Sequence, residues 1–188
     1  MATWLARTAI TPNQISILSI GFAGIGAALL AWWPTPIGLV VCAICVQLRL
    51  LANLLDGLVA VEGGKGSALG SMYNEFPDRI TDSILLIALG YACGQPWLGW
   101  LCALLAVLTA YVRIFGGSLG LAQDFRGPLA KAQRMAVLTV ACLVGAAEMF
   151  WHVQRYALLA AAVLIALGSF VTCVTRTRAI VAKLHARA

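Results

Sequence analysis

Four carboxylates, Asp56, Glu62, Glu75 and Asp78, fall between residues 53 and 78 among two asparagines, Asn53 and Asn74, in a chain with only 11% charged residues. Asp82 follows one helical turn later. At helical spacing Asn53, Asp56, Gly57 and Ala60 share one face, while Gly70, Asn74, Asp78 and Asp82 repeat every four residues along another. Two such stripes, joined by the glycine-containing turn EGGKGS at 62–67, would gather oxygen ligands in one place. Carboxylates crowded at low dielectric repel one another unless protons, basic side chains or cations neutralise them. Oxygen ligands without histidine or thiolate favour hard ions such as Mg²⁺ or Mn²⁺. The competing explanation is structural: ion pairs with Arg49 and Arg79 that lock helices together. Asp82 has the same two options, a place on a metal or an ion pair with Arg79.

The elements that must position these groups are membrane spans. Apolar residues make up 62% of the 188-residue chain, against roughly half in soluble domains. Six apolar runs are long enough to cross hydrocarbon, near 13–33, 36–61, 68–93, 96–117, 128–150 and 155–175. The expected fold is an all-α integral membrane protein, a single domain over 1–188 with six transmembrane helices and short connections. Trp4, Leu5 and Ile10 around Arg7 suggest a short N-terminal helix lying on the membrane surface, with a plain polar terminus as the alternative. The segment lacks the apolar core and cleavage site of a secretory signal. Trp32, Trp33, Trp97, Trp100 and Trp151 near span ends fit an aromatic belt.

In a six-span arrangement Arg7, Lys65, Arg113, Arg126, Lys131, Arg134 and the tail Arg176, Arg178, Lys183 and Arg187 fall on one side, and only Arg155 on the other. By the positive-inside rule both termini and the acidic cluster face the cytoplasm, as in a bacterial inner membrane. The basic residues suit anionic lipid headgroups, not nucleic acid, as partners. Six cysteines sit within or at the ends of apolar spans as small buried residues. GGKGS lacks the spacing of a phosphate-binding loop. No internal repeat or polar track across the chain supports a transporter.

The spacing resembles the CDP-alcohol phosphotransferase (CDP-alcohol phosphatidyltransferase) family, whose pattern is D-x2-D-G-x2-A-R-x8-G-x3-D-x3-D. Here the positions read Asn53, Asp56, Gly57, Ala60, Val61, Gly70, Asn74 and Asp78, with every spacing kept and with Asn53, Val61 and Asn74 departing. TPNQIS at 11–16 is similar to the segment that opens the family's first span. YVRIFGGSLGL and GPLAKAQR resemble the connection between its fourth and fifth spans.

The resemblance implies transfer of a phosphatidyl group from a CDP-diacylglycerol-type donor to a polar alcohol, phosphorylated or not, with release of CMP. It implies Asp78 as the base; Asp56, Asp78, Asn53 and Asn74, with Asp82 as a substitute, as ligands of one or two Mg²⁺ or Mn²⁺ ions; and Asn13, Gly57, Ala60 and Gly70 around the CDP group. Arg113, Lys131 and Arg134 would grip an acceptor phosphate, although basic residues there also serve topology. It further implies a homodimer. The asparagines reduce the negative charge available to metal, so the alternative is a relative that binds CDP-lipid or one metal without turnover.

Overall fold

A computed structural model describes residues 12–62, 70–151 and 156–187, with side chains throughout except at 12, 13, 59–62, 70, 71, 73 and 74. The expected N-terminal helix therefore lies outside the described residues. Six helices follow: α1 (Pro12–Trp32), α2 (Pro36–Glu62), α3 (Gly70–Ala92), α4 (Pro96–Ser118), α5 (Lys131–Phe150) and α6 (Tyr156–His185). Proline opens α1, α2 and α4, where its missing N–H would have no helical partner in any case. Among the described residues, five helices are long and apolar enough to cross a membrane. The other, α3, is of similar length but carries Glu75, Asp78, Arg79 and Asp82 in its first half, around Pro77.

The helices close a ring. α1 packs on α2 and α3, α3 on α4, α4 on α6, α6 on α5, and α5 back on α2, with α3 also touching α6. Sequence neighbours α2 and α3 are thus bridged by α1, and their polar side chains must reach towards each other across the ring interior. Leu39, Val46, Leu85, Leu89, Leu138 and Ile165 fill that interior at the apolar end. Ile25, Leu104, Leu164 and Leu167 point outward, as lipid-facing positions require. α3 and α4 meet backbone to backbone: a Cβ on Gly90 would lie 2.6 Å from the Gly99 Cα, so only glycine allows this approach.

The sixth apolar run ends near 175, but α6 continues to His185. Its last turns are held by tertiary contacts that local hydropathy does not register. Ile180 is buried against Gly116 of α4, and Arg176 is buried beneath the 119–130 connection.

Candidate active site

The polar residues collect at the end of the ring where odd-numbered helices begin and even-numbered helices end. Asp78, on the third turn of α3, lies at their centre. Its Oδ1 accepts a hydrogen bond from Asn53 Nδ2 at 2.6 Å and a longer one from Arg49 Nη2 at 3.4 Å. Its Oδ2 takes a charge-assisted bond from Lys131, the first residue of α5, and faces Arg79 Nη2 at 3.8 Å. The α2 and α3 stripes do meet, through side chains that span the gap between their backbones.

One turn deeper, Asp82 is enclosed. Arg49 Nη2 lies 2.7 Å from its Oδ1, and Arg134 Nη2 donates to its Oδ2 at 3.0 Å. Arg134 Nη1 also donates to Thr109 Oγ1 on α4 and to the Leu129 carbonyl. Neither arginine side chain is more than 1% exposed. Helices α2, α3, α4 and α5 are therefore tied by one buried network. The Asp82–Arg79 pair expected from spacing does not form. Arg79 instead lines the cavity beside Asp78 and turns to Glu75 at 3.4 Å and to Asp78 at 3.8 Å.

Asp56 is buried near the end of α2. Ser16 Oγ on α1 donates to its Oδ2 at 2.6 Å, while Oδ1 is buried without a hydrogen-bond partner. An orphaned carboxylate oxygen is a position that a hard cation can satisfy. Among the described residues no three carboxylate, imidazole or thiolate groups converge. A metal here would thus be held by Asp56 and Asp78 with amide or substrate oxygens. Gly57 is exposed, and a Cβ there would meet nothing within 4 Å. Its lack of a side chain serves no internal packing and leaves the backbone open to a ligand.

Beside Asp78 opens a cavity of about 310 Å³. Glu75 and Asp78 face Arg79, Arg113, Lys131, Arg134 and Arg176 across it. Arg113, near the end of α4, donates to Glu75 and to Gln123 Oε1, and its guanidinium lies 5.0 Å from the centre of the Phe125 ring. Arg176 donates to the carbonyls of Thr109, Phe125 and Arg126, fastening the connection to α6. The Leu129 amide bonds Thr172 Oγ1. Gly127, at φ +134, passes so close that a Cβ would lie 2.4 Å from the Thr172 methyl. Asp124 bonds the Arg126 amide and guanidinium and faces Lys183 at 3.7 Å. Burial acts to raise the Asp124 carboxyl, but these bonds and charges outweigh it and hold it below the usual carboxylate range.

Two apolar grooves flank α2. One, of about 440 Å³, runs between α2 and α5 past Ile44, Gln47 and Leu143; the other, of about 400 Å³, runs between α1 and α2 past Leu18, Phe22 and Leu55. Leu48 and Leu51 separate them.

Of the residues singled out from sequence, Asn53, Asp78, Lys131, Arg134 and Arg113 come together, with Asp56 beside them against α1 and Asp82 beneath. The side chains of Asn13, Ala60, Gly70 and Asn74 lie outside the described residues. Ser16, Thr109 and Arg176 have no site role in the sequence reading, where Glu75 figures only as one of the clustered carboxylates. Arg176 is legible as an arginine inside a helix otherwise apolar enough to span, although in the sequence it groups with the basic tail.

Such a bundle, with lipid-facing helices around a carboxylate and guanidinium centre, defines an integral membrane protein with a polar site at one end. No family model matches the chain. It is 34% identical over 143 residues to the archaetidylinositol phosphate synthase of Aeropyrum pernix, covering 74% of this chain and 71% of the relative. It is 27% identical over 183 residues to the phosphatidylinositol phosphate synthase of Streptomyces avermitilis, covering 93% and 74%. Among solved structures, the phosphatidylinositol phosphate synthase of Mycobacterium tuberculosis with CDP-DAG bound has the same fold, with a TM-score of 0.77, 23% identity and coverage of 96% and 93%. The same enzyme in complex with manganese and citrate also superposes at 0.77 with 23% identity, covering 96% of this chain and 88% of that one. The chain belongs to the CDP-alcohol phosphatidyltransferase family, whose members are metal-dependent transferases.

Proposed function

We propose that this protein transfers a phosphatidyl group from a CDP-diacylglycerol-type donor to a phosphorylated polar alcohol, releasing CMP. The observation that carries this is the cavity beside Asp78, in which five basic side chains face two carboxylates. That excess of positive charge suits a phosphomonoester. The two grooves flanking α2 provide places for two acyl chains, and open Gly57, with Asn13, Ala60 and Gly70, would approach the CDP group.

Asp56, through its orphaned Oδ1, with Asp78, Asn53 and Asn74, would hold Mg²⁺ or Mn²⁺. When bound, the metal neutralises the donor's pyrophosphate. Asp78, at the cavity wall, takes the proton of the acceptor hydroxyl. The alcohol oxygen then bonds to the lipid-side phosphorus as the phosphorus–oxygen bond to CMP breaks. Arg113 and Lys131 hold the acceptor phosphate, each exchanging a protein carboxylate for it, while Arg134 stays bonded to Asp82 and adds its positive charge at the cavity floor. Asp82, engaged by two guanidinium groups, acts as their counter-ion and not as a metal ligand. The remaining elements of this proposal are α3 as a sixth span, the site and both termini on the cytoplasmic side of a bacterial inner membrane, and a homodimer.

One observation favours an alternative, a relative that binds CDP-lipid without turnover. Asn53 donates to Asp78 where an aspartate would repel it, so Asp78 is satisfied without metal. Purified protein in lipid, given CDP-diacylglycerol, Mg²⁺ or Mn²⁺ and phosphorylated alcohols, decides between the two. CMP release above that of Asp78→Ala supports transfer. Cytidine nucleotide binding without CMP release, with activity appearing in Asn53→Asp/Asn74→Asp, supports the alternative.

A further inference from the structure

Arg113 lines the cavity where an acceptor phosphate would sit, yet both of its terminal nitrogens are already engaged. One terminal nitrogen donates to Gln123, the other to Glu75, and its face lies on Phe125. Gln123 and Phe125 are neutral partners that orient the group. Glu75 is different: it is an anion, its side chain is 34% exposed at the cavity wall, and Arg113 beneath it is only 9% exposed. Its second oxygen lies 3.4 Å from Arg79 and is buried without a hydrogen bond. The Glu75 carboxylate thus occupies the place and plays the part of an external anion, and does so with one oxygen incompletely satisfied.

We propose that Glu75 is a displaceable counter-ion that sets the selectivity of this cavity for dianions. This rests on the proposed function, in which the acceptor carries a phosphate. A neutral alcohol cannot replace the carboxylate on Arg113, because that would leave a buried guanidinium uncompensated. A monoanion exchanges one charge for one and gains little. A phosphate dianion replaces the lost charge and adds another to a cavity with three further arginines and a lysine. Glu75 therefore weakens every anion by the cost of its own displacement, and only a dianion recovers that cost. Discrimination of this kind is built from a repulsive element as well as attractive ones.

The test is calorimetric titration of the full chain in lipid nanodiscs with inorganic phosphate and, as a monoanion, acetate. Wild type, Glu75→Gln and Glu75→Ala are compared, with thermal unfolding as a check that each is folded; the half-exposed position tolerates both changes. The expected result is that both variants bind phosphate roughly tenfold more tightly than wild type, and that acetate, which wild type does not bind, gains measurable affinity. Phosphate affinity that is unchanged or weaker in the variants overturns the proposal and makes Glu75 a support that holds Arg113 in place. Neither result depends on turnover. CMP release by wild type alongside unimproved phosphate binding in the variants would remove this role for Glu75 and leave the transfer function standing.

Discussion

The same helix, α3, presents two carboxylates to basic partners in opposite ways. Asp82 is 2% exposed at its side chain and enclosed by Arg49 and Arg134; Glu75, two turns earlier, pairs with Arg113 and Arg79 at the wall of an open cavity with 34% of its side chain exposed. Both are ion pairs between α3 and neighbouring helices. The enclosed one can be exchanged for nothing, since no water or ligand reaches it, so it acts as a joint between helices. The cavity-facing one is open to replacement by a dianion that enters. Asp78 lies between these extremes at 10% exposure, touching Arg49 of the enclosed network and Lys131 of the open one. It is thus a fixed carboxylate that can still meet a substrate.

The harshest way to break this comparison is Asp82→Ala. It leaves buried Arg134 without its carboxylate and Arg49 with only the longer contact to Asp78, and removing one partner of a buried pair costs about 3–5 kcal/mol. The expected outcome is loss of folded protein, or a large fall in the unfolding temperature in detergent, with Asp82→Asn less severe. A variant that unfolds within a degree or two of wild type would show that water reaches the network and that the joint is not closed.

Arg113→Gln tests the open side. The cavity wall remains, Glu75 keeps Arg79, and the fold should hold. The acceptor KM should rise by ten- to a hundredfold, the loss expected for one charged contact to a phosphate, while the donor KM is nearly unchanged. Equal damage to both constants would mean that Arg113 shapes the whole site and does not serve the acceptor alone.

Much of this was legible in the sequence, because periodicity and apolar run length are local properties. The first five helices begin and end close to the expected limits and the sixth begins at its own, and Asn53 with Asp78 meet as their stripes required. What was not legible depends on which helices become neighbours. Spacing along α3 offered Arg79 to Asp82 one turn away. The ring instead brings Arg49 and Arg134, 33 and 52 positions away, to its buried face, where a charge needs enclosed partners more than an adjacent exposed one. Ser16 could not be paired with Asp56 for the same reason, since nothing local states that α1 packs on α2. The helical tail after 175 was hidden because its stability comes from Ile180 and Arg176 docking on α4 and the 119–130 connection, not from hydropathy.

The smallest expected effect concerns that connection, where exchangeable charge meets structural charge once more. Asp124 joins Arg126 to Lys183 at the end of α6. Its carboxyl is held below the usual range, so the folded state binds its proton less readily than the unfolded chain does. The stabilisation is therefore present above the unfolded carboxylate pKa near 4, and is lost as pH falls through the lower folded value. Arg126 is well exposed in this pair, which limits the contribution to about 0–1 kcal/mol. Asp124→Asn should lower the unfolding temperature slightly at pH 7 and match wild type below pH 3. A difference that persists undiminished at low pH would show that Asp124 acts through its hydrogen bond to the Arg126 amide, which asparagine geometry disturbs, and not through its charge.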